Sequence, residues 1–286
     1  MKNKHEEIRL LPEDPNHYAD PHNVNDLPFP SANLVPARFS ISKEGKISYM
    51  GRECFLQVWN ALAGVTEDSQ HRQAIYVYGG KGLGKSYIFA ALACLLVRQG
   101  ARVVYLPDCR AMLLDDLVYL KTALIFAFLD SAAHLEDIQR CEDVESLAEF
   151  CVAFRSTGQL FFIVDQLNAL DPELTGEDEV SDDQKARLRR QLQRMSARHI
   201  NITSAAANHK TFKYMATRDT GEQKIPLMGG MTPVRALFYA LILMLSSSTS
   251  LKCPAGGNTI GSRLSVMRTN SAIDVFKFFC QLFWHK

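Results

Sequence analysis

A chain of 286 residues, 47% hydrophobic and 22% charged, can hold one large α/β domain with extensions and has the composition of a globular protein. Its formal net charge of +1 excludes a strong whole-chain preference for nucleic acid or for acidic substrates. The cysteines are odd in number and form no C-x-x-C pair, which favours reduced thiols in an intracellular protein over a disulfide framework or a zinc site. They are Cys54, Cys94, Cys109, Cys141, Cys151, Cys253 and Cys280.

The sequence also lacks the signals of secretion and membrane insertion. The N-terminus, Met-Lys-Asn-Lys-His-Glu-Glu, contains no apolar core of a signal peptide. The longest apolar runs, 123–129 and 236–245, fall short of the ~20 residues that a spanning helix needs. We therefore expect a soluble, intracellular protein without a membrane partner.

Residues 1–48 are polar and marked by prolines, and they show no sustained hydrophobic periodicity. This composition predicts an extended N-terminal arm, partly ordered at best, with room for one short strand at 40–48.

Residues 49–62 predict a turn and then an amphipathic helix, because Phe55, Val58 and Leu62 recur at helical spacing. Two interpretations remain open for this element. Its apolar face packs on the following domain, or Gly-Arg-Glu at 51–53 lies near a nucleotide base.

The stretch 74–86 carries the strongest chemical signal. Residues 74–78 predict a buried strand, 87–97 predict a helix, and 79–86 match G-x-x-x-x-G-K-[ST] at every fixed position. The glycines let successive N–H groups turn around phosphate oxygens, Lys85 brings a cation to the β- and γ-phosphates, and the Ser86 hydroxyl can ligate Mg²⁺. A helix starting at about Lys85 adds its positive dipole end to the same site. This context favours a phosphate-binding loop over a glycine-rich turn that matches by chance. The predicted nucleotide-binding residues are Gly79, Gly80, Lys81, Gly82, Leu83, Gly84, Lys85, Ser86 and Tyr87.

Strand and helix patterns alternate beyond the loop. A strand is predicted at 101–106, and helices at 111–129 and 134–154. This alternation is typical of βαβ units on a parallel sheet.

A fully apolar strand at 160–164 ends in Asp165. Ligands of an open α/β sheet bind beyond the carboxyl ends of its strands, where an aspartate can hold Mg²⁺ through water. An aspartate after a strand can also simply begin a turn, but the phosphate loop upstream favours the metal-binding interpretation. The predicted metal residues are therefore Ser86 and Asp165.

Gln166 follows directly, where a glutamate would polarise the attacking water. A carboxamide orients water but cannot take its proton, so we predict slow turnover or a switch-like nucleotide binder.

Residues 171–183 form an acidic loop, and 184–198 predict a basic helix with Leu188, Leu192 and Met195 as a narrow apolar stripe. A solvated helix is favoured over a nucleic-acid contact. Nucleic acid is thus only weakly supported as a partner.

A further strand is predicted at 199–204. A polar residue just beyond it can sense the γ-phosphate and align water. Thr203, Ser204 and Asn208 are the candidates for this role. We predict that Asn208 performs it, with a plain turn residue as the alternative. The predicted catalytic residues are Lys85, Asp165, Gln166 and Asn208. Arg218 is a more distant candidate, whose positive charge would reach the phosphates in cis or in trans.

Several phrases resemble the P-loop NTPase domain of Crinkler-type effectors and of retrotransposon-hot-spot proteins. They are Tyr-Met-Gly-Arg-Glu (49–53), the loop at 77–86, Phe-Phe-Ile-Val-Asp-Gln-Leu-Asn-Ala-Leu (161–170), Ile-Thr-Ser-Ala-Ala-Ala-Asn (202–208) and Leu-Met-Gly-Gly-Met (227–231). The resemblance implies an ATPase-like module of proteins that act inside host cells, often in the nucleus, with a host factor as partner. The Crinkler translocation header is not recognisable, and the pattern is lost after about residue 232.

These observations predict a three-layer α/β P-loop NTPase, with a mainly parallel sheet flanked by helices. The arm covers 1–48, the NTPase domain 49–233, and an atypical C-terminal segment 234–286, which is a helical cap, a disordered tail or a truncated reading frame. The expected ligands are ATP and Mg²⁺, since no guanine-reading Asn-Lys-x-Asp follows the phosphate elements. The alternatives are a non-hydrolysing nucleotide-dependent interaction module and a small-molecule kinase.

Overall fold

The computed structural model describes residues 1–33, 35–65, 74–80, 82–172, 180–205 and 222–227. All of them lie in the compact unit Met1–Met228. Predictions for Lys81, Asn208, Arg218 and the segment 234–286 fall outside the described residues. The helices are α1 (Lys2–Arg9), α2 (Pro15–Ala19), α3 (Glu53–Ala63), α4 (Lys85–Arg98), α5 (Cys109–Met112), α6 (Asp116–Ala127), α7 (Ala132–Arg140), α8 (Val144–Phe154) and α9 (Asp182–Ser196). The strands are β1 (Val24–Pro28), β2 (Lys46–Met50), β3 (Ala74–Gly79), β4 (Arg102–Leu106), β5 (Leu160–Val164), β6 (Ile200–Ser204) and β7 (Gln223–Leu227).

Five of these strands form one parallel sheet in the order β4-β5-β6-β3-β7. The expected parallel α/β fold is confirmed. Because all five strands run the same way, their carboxyl ends meet at one edge, where ligands of open α/β sheets bind. β6 separates the phosphate-loop strand β3 from β5, so residues at the end of β6 lie between the two predicted halves of the site.

Alternate residues of the strands face two separate hydrophobic clusters. In β4, Val103 and Tyr105 belong to the cluster that contains α4, whereas Val104 and Leu106 belong to the cluster formed with α5 to α9. Successive strand side chains point to opposite faces, so the sheet is covered on both sides. This arrangement is the predicted three-layer architecture.

The N-terminal segment differs from the expected extended arm. It forms α1, α2 and the antiparallel pair β1–β2, and its apolar side chains are buried in the α4 cluster. Ile8, Tyr18 and Phe29 are fully buried there. Their spacing follows neither a helix nor a strand because they come from several short elements, so periodicity could not detect them.

Two predicted helices are divided in the structure, and one strand of the parallel sheet was not predicted. Asp115 and Asp143 begin new helices by accepting backbone N–H bonds from Val118 and Ser146, which splits 111–129 into α5 and α6 and 134–154 into α7 and α8. The unpredicted strand is β7, which carries Pro226 and lies at the edge of the sheet, where a missing N–H is tolerated.

In the described part of the chain, no helix is both long and apolar enough to cross a membrane. Among the described cysteines, burial raises the thiol pKa of Cys94, Cys109 and Cys151. These thiols therefore stay protonated at neutral pH and act as small core residues.

Candidate functional site

The phosphate-binding loop connects β3 to α4 at the carboxyl edge of the sheet. Gly82 and Gly84 have φ values of +80° and +78°. Residues that carry a Cβ rarely adopt this backbone conformation. Gly84 is also the N-cap of α4, which begins at Lys85 as predicted. The loop thus places the N-terminal, positively polarised end of α4 at the predicted phosphate site.

The Lys85 side chain folds back over the loop. Its Nζ donates hydrogen bonds to the carbonyls of Gly79, at 2.9 Å, and Gly80, at 3.0 Å. Desolvation lowers the pKa of Lys85 below its ordinary value, and the nearby charge of Asp165 partly offsets this shift. The ammonium group of Lys85 therefore lies within the loop and interacts electrostatically with the Asp165 carboxylate.

Ser86 and Asp165, the two predicted metal residues, both contact the guanidinium of Arg38. Its Nε donates to Ser86 Oγ at 3.0 Å, and its Nη2 lies 3.2 Å from Asp165 Oδ2. A second anionic partner is Asp108, whose Oδ2 accepts from Nη1 at 3.1 Å, and Nη2 also donates to the Pro107 carbonyl. One cationic group from the N-terminal segment thus joins the loop and the ends of β4 and β5.

Asp165 is almost fully buried, with 2% of its surface exposed. Its Oδ1 accepts hydrogen bonds from the backbone N–H of Gln166, at 2.9 Å, and from the hydroxyl of Ser204. Ser204 is the last residue of β6, the strand inserted between β3 and β5. Of the three candidates after the predicted strand at 199–204, Ser204 therefore reaches the site, while Asn208 lies outside the described residues.

Gln166 adopts a left-handed backbone conformation with φ 58°, and it precedes a short 3₁₀ turn over Leu167–Leu170. Such conformations are uncommon for residues other than glycine and cluster at functional sites. This backbone turn places Gln166 directly beside the Asp165 carboxylate.

Arg52, in the Gly-Arg-Glu phrase at 51–53, contacts the backbone of the phosphate-binding loop. Its Nη1 donates to the Leu83 carbonyl at 2.8 Å, and its backbone N–H donates to the Tyr18 carbonyl at 3.0 Å. This contact places Arg52 at the loop backbone, and the expected proximity of the phrase to a nucleotide base stays a prediction.

Tyr87, predicted to bind nucleotide, contacts the N-terminal segment. Its hydroxyl accepts from the Ser40 N–H at 3.0 Å, and its ring lies 5.0 Å from that of Phe39. Phe39 is buried and also packs on Phe29, with ring centroids 5.2 Å apart. These contacts fix the chain directly after Arg38.

The sequence interpretation did not identify Arg38 or Asp108 as site residues. Asp108 lies just beyond the predicted strand at 101–106, so it carries a signal similar to that of Asp165, and this signal could have identified it. Arg38 had no local signal, because it lies 48 residues before Ser86 and 127 before Asp165. Only the folding of the N-terminal segment onto the sheet edge brings it there.

The basic helix α9 is engaged in ion pairs within the protein. Arg189 pairs with the buried Asp171 at 2.6 Å, and Arg194 pairs with Glu145 and Glu149 on α8. The apolar stripe of Leu188, Leu192 and Met195 is buried as predicted. Much of the helix charge is therefore neutralised by neighbouring carboxylates.

The parallel sheet, with the loop between β3 and α4, defines an α/β protein with the P-loop NTPase fold. Comparison with protein-family models finds no match, and comparison with curated proteins finds none either. Among solved structures, the chain is similar to AMPPCP-bound DnaA from Aquifex aeolicus, with 13% identity, a TM-score of 0.37, and coverage of 89% of this chain and 67% of that one. It is also similar to a DNA replication initiation factor, with 12% identity, a TM-score of 0.39, and coverage of 87% and 65%.

The chain therefore spans about two thirds of the length of these two structures. The assignment of the fold rests on the sheet and the loop described above. The resemblance to Crinkler-type and retrotransposon-hot-spot proteins stays a prediction from sequence phrases, since neither structure is of that kind.

Proposed function

We propose that this protein binds a Mg²⁺-nucleoside triphosphate at residues 79–86 and hydrolyses it slowly. The observation that carries the proposal is the convergence of Ser86 and Asp165 on one cationic group at the carboxyl edge of a parallel sheet. They come from separate elements, α4 and the end of β5, and both oxygens are of the kind that Mg²⁺ prefers. This combination supports nucleotide binding more strongly than the loop motif alone.

The residues present fit a Mg²⁺ ion by their chemistry. Among the described residues, no group of three or more His, Cys, Asp or Glu side chains could hold a metal by itself. Mg²⁺ in phosphoryl-transfer sites needs only one or two protein oxygens, because phosphates and water complete its shell. Ser86 and Asp165 would hold the ion, which would supply positive charge to offset the negative charge that develops on the phosphates.

The phosphates would be held by the loop and by Lys85. Backbone N–H groups at the start of α4 supply fixed partial positive charge at no cost in reorganisation. The Lys85 ammonium now satisfies two loop carbonyls, so reaching the phosphates requires exchange of those hydrogen bonds. A phosphate group offers a charged acceptor in their place, which favours the exchange.

In this proposal the Gln166 carboxamide orients the attacking water. Its backbone N–H and the Ser204 hydroxyl hold the adjacent Asp165 carboxylate. A carboxamide cannot accept a proton, so the residues around the water contribute positioning without general-base catalysis. This is the physical reason for proposing slow hydrolysis.

ATP is proposed over GTP because the chain has no guanine-reading Asn-Lys-x-Asp after the phosphate elements. Two other functions share the same phosphate site. A non-hydrolysing interaction module is favoured by Gln166, and a small-molecule kinase would use the same loop with a different acceptor. The effector-like role, with a host protein as partner, is proposed on the family resemblance alone.

The test is titration of a fluorescent ATP analogue in the presence of Mg²⁺, followed by a sensitive phosphate-release assay. Lys85→Ala should weaken binding at least about tenfold, because it removes a charged hydrogen-bond donor from the phosphates. Lys43→Ala removes an exposed lysine from the turn before β2 and serves as the matched control. Competition with unlabelled ATP and GTP measures base preference.

The outcomes separate the candidate functions. Slow phosphate release that is lost in Lys85→Ala supports the ATPase. Tight binding without release supports the interaction module, and label transfer from γ-³²P-ATP to a small molecule supports the kinase. No binding by the wild-type chain, or equal binding by Lys85→Ala, contradicts the nucleotide site itself.

A further inference from the structure

The Arg38 guanidinium occupies the place between the two residues that would hold Mg²⁺. It donates to Ser86 Oγ at 3.0 Å and lies 3.2 Å from Asp165 Oδ2. Asp108, 3.1 Å from Nη1, gives it a second carboxylate. All three side-chain acceptors are oxygens, and two of them carry negative charge, which is the environment of a hard cation. The Pro107 carbonyl is a fourth acceptor, from the backbone.

The same cation is held more firmly than a surface arginine would be. The Arg38 side chain is 24% exposed, while those of Asp108 and Asp165 are 19% and 3% exposed. Phe39, the next residue, is buried against Phe29 and Tyr87. The backbone that carries Arg38 is therefore already fixed when the planar guanidinium contacts the three side-chain acceptors. Little conformational entropy is lost in forming these contacts.

Arg38 and Mg²⁺ cannot use these oxygens together. Mg²⁺ binds its ligands at about 2.1 Å with near-octahedral geometry, and its water shell would overlap the position of the guanidinium. Two cations placed at the same carboxylate also repel each other. Binding of the ion therefore requires Arg38 to leave Ser86 and Asp165.

We propose that Arg38 is a built-in competitor of Mg²⁺, which holds the metal-binding oxygens until a Mg²⁺-nucleotide displaces it. This inference rests on the proposed function, since it concerns the same site. It adds that the segment around Arg38 is coupled to metal binding. The apparent Mg²⁺ affinity is then lowered by the fraction of molecules in which Arg38 is engaged.

The experiment measures the Mg²⁺ concentration that gives half-maximal binding of a fluorescent ATP analogue at fixed nucleotide concentration. Arg38→Ala should lower this midpoint at least about tenfold, because the competing charged hydrogen bonds are gone. Arg38→Gln keeps much of the length without the charge and should lower it as well. Arg9→Ala removes an arginine that pairs with the exposed Glu6 and serves as the control.

A second measurement separates competition from a change in folding. Without Mg²⁺, Arg38→Ala should melt at a lower temperature than wild type, because Asp108 and Asp165 lose a shared partner. Saturating Mg²⁺ and nucleotide should narrow that difference. Both variants keep the loop, so their nucleotide affinity at saturating Mg²⁺ should match or exceed that of wild type.

An unchanged Mg²⁺ midpoint in both variants overturns the proposal. So does a loss of nucleotide affinity at saturating Mg²⁺ in Arg38→Gln with a folded far-UV spectrum, which would mean that Arg38 binds the phosphates directly. If wild type binds no nucleotide at any Mg²⁺ concentration, the proposed function fails, and that result is distinct from equal midpoints in wild type and variants.

Discussion

The Ser204 hydroxyl donates a hydrogen bond to the buried carboxylate of Asp165 and thereby joins the ends of β6 and β5. Both residues are hidden from solvent, with Ser204 fully buried and Asp165 at 2% exposure. The bond fixes one carboxylate oxygen, Oδ1, and leaves Oδ2 facing Arg38. The direction of Oδ2, the oxygen that we propose binds the metal, thus depends on a residue of a neighbouring strand.

Replacement of Ser204 by alanine should therefore destabilise the protein by about 1.5–3 kcal/mol, because a buried charged acceptor loses a partner. Urea denaturation measures the change. Ser156→Ala is the matched control, since its hydroxyl bonds an exposed helix-end carbonyl, and it should stay within about 0.5 kcal/mol of wild type. Equal stability of the two variants would mean that the Ser204 bond contributes nothing to the folded state.

Gln166→Glu should raise the single-turnover rate of ATP hydrolysis at least about tenfold. Glutamate has the same length and tolerates the same left-handed backbone, and its carboxylate can accept the proton of the attacking water. Gln166→Ala removes the polar group and should lower the rate. If Gln166→Glu leaves the rate unchanged, the proposed role of this position in water activation is wrong.

Gly84→Ala should weaken nucleotide binding more than Gly82→Ala. Both positions have positive φ, which costs a residue with a Cβ about 1–2 kcal/mol. A Cβ at Gly82 meets nothing within 4 Å, whereas a Cβ at Gly84 would lie 1.9 Å from Arg52 Nη1 and force that side chain away from the Leu83 carbonyl. The dissociation constant of the ATP analogue measures both effects.

The contribution of Arg52 can be isolated by a double-mutant cycle. In an Arg52→Ala background, Gly84→Ala should add only the backbone strain, so the difference between the two glycine variants should largely disappear. A difference that persists would place its origin elsewhere in the loop.

Phe29→Ala should destabilise the fold by about 3–5 kcal/mol, as expected for a large aromatic side chain removed from a core. Phe29 is fully buried and packs on Phe39 and on Tyr105 of β4, with ring centroids 5.2 and 5.9 Å apart. Leu10→Ala, at a position 85% exposed, should change stability by less than about 0.5 kcal/mol. Calorimetric melting of the two variants tests whether the N-terminal segment is part of the folded core, and a similar small effect of both would contradict it.

His199 should make the protein sensitive to mild acid. Its Nδ1 accepts from the Leu160 N–H at 3.2 Å and its Nε2 donates to the Cys151 carbonyl at 2.9 Å, so the buried ring is neutral. Burial lowers its pKa below the ordinary 6.5, with the Cys151 bond opposing the shift. In the unfolded chain the ring takes up a proton near pH 6.5, while in the folded protein it does so only at lower pH.

Stability is therefore fully present above about pH 6.5 and declines as the pH falls through that value towards the lowered pKa. Urea midpoints at pH 7.5 and pH 5 should differ more in wild type than in His199→Gln, which keeps a donor and an acceptor but does not titrate. His22→Gln, at a side chain 92% exposed, should retain the wild-type difference. An equal acid response in His199→Gln and wild type would exclude His199 as its source.

The local elements of the site were predictable because each depends on neighbours in the chain. The loop at 79–86 is encoded by glycines, a lysine and a serine at short fixed spacing between an apolar strand and a helix, and α4 begins at Lys85 as expected. Asp165 was found by the same kind of signal, a polar residue at the end of a buried strand. The parallel sheet followed from the alternation of strand and helix patterns.

The partners of those residues depend on packing between elements far apart in the chain, for which local periodicity carries no information. The insertion of β6 between β3 and β5 selects Ser204 as the partner of Asp165. Phe29 and Phe39 are buried, so the segment that was predicted as an extended arm belongs to the core. This packing brings Arg38 into contact with the oxygens of Ser86 and Asp165. The phosphate loop is therefore determined by consecutive residues of the sequence. The contact of Arg38 with this site, in contrast, depends on the tertiary fold.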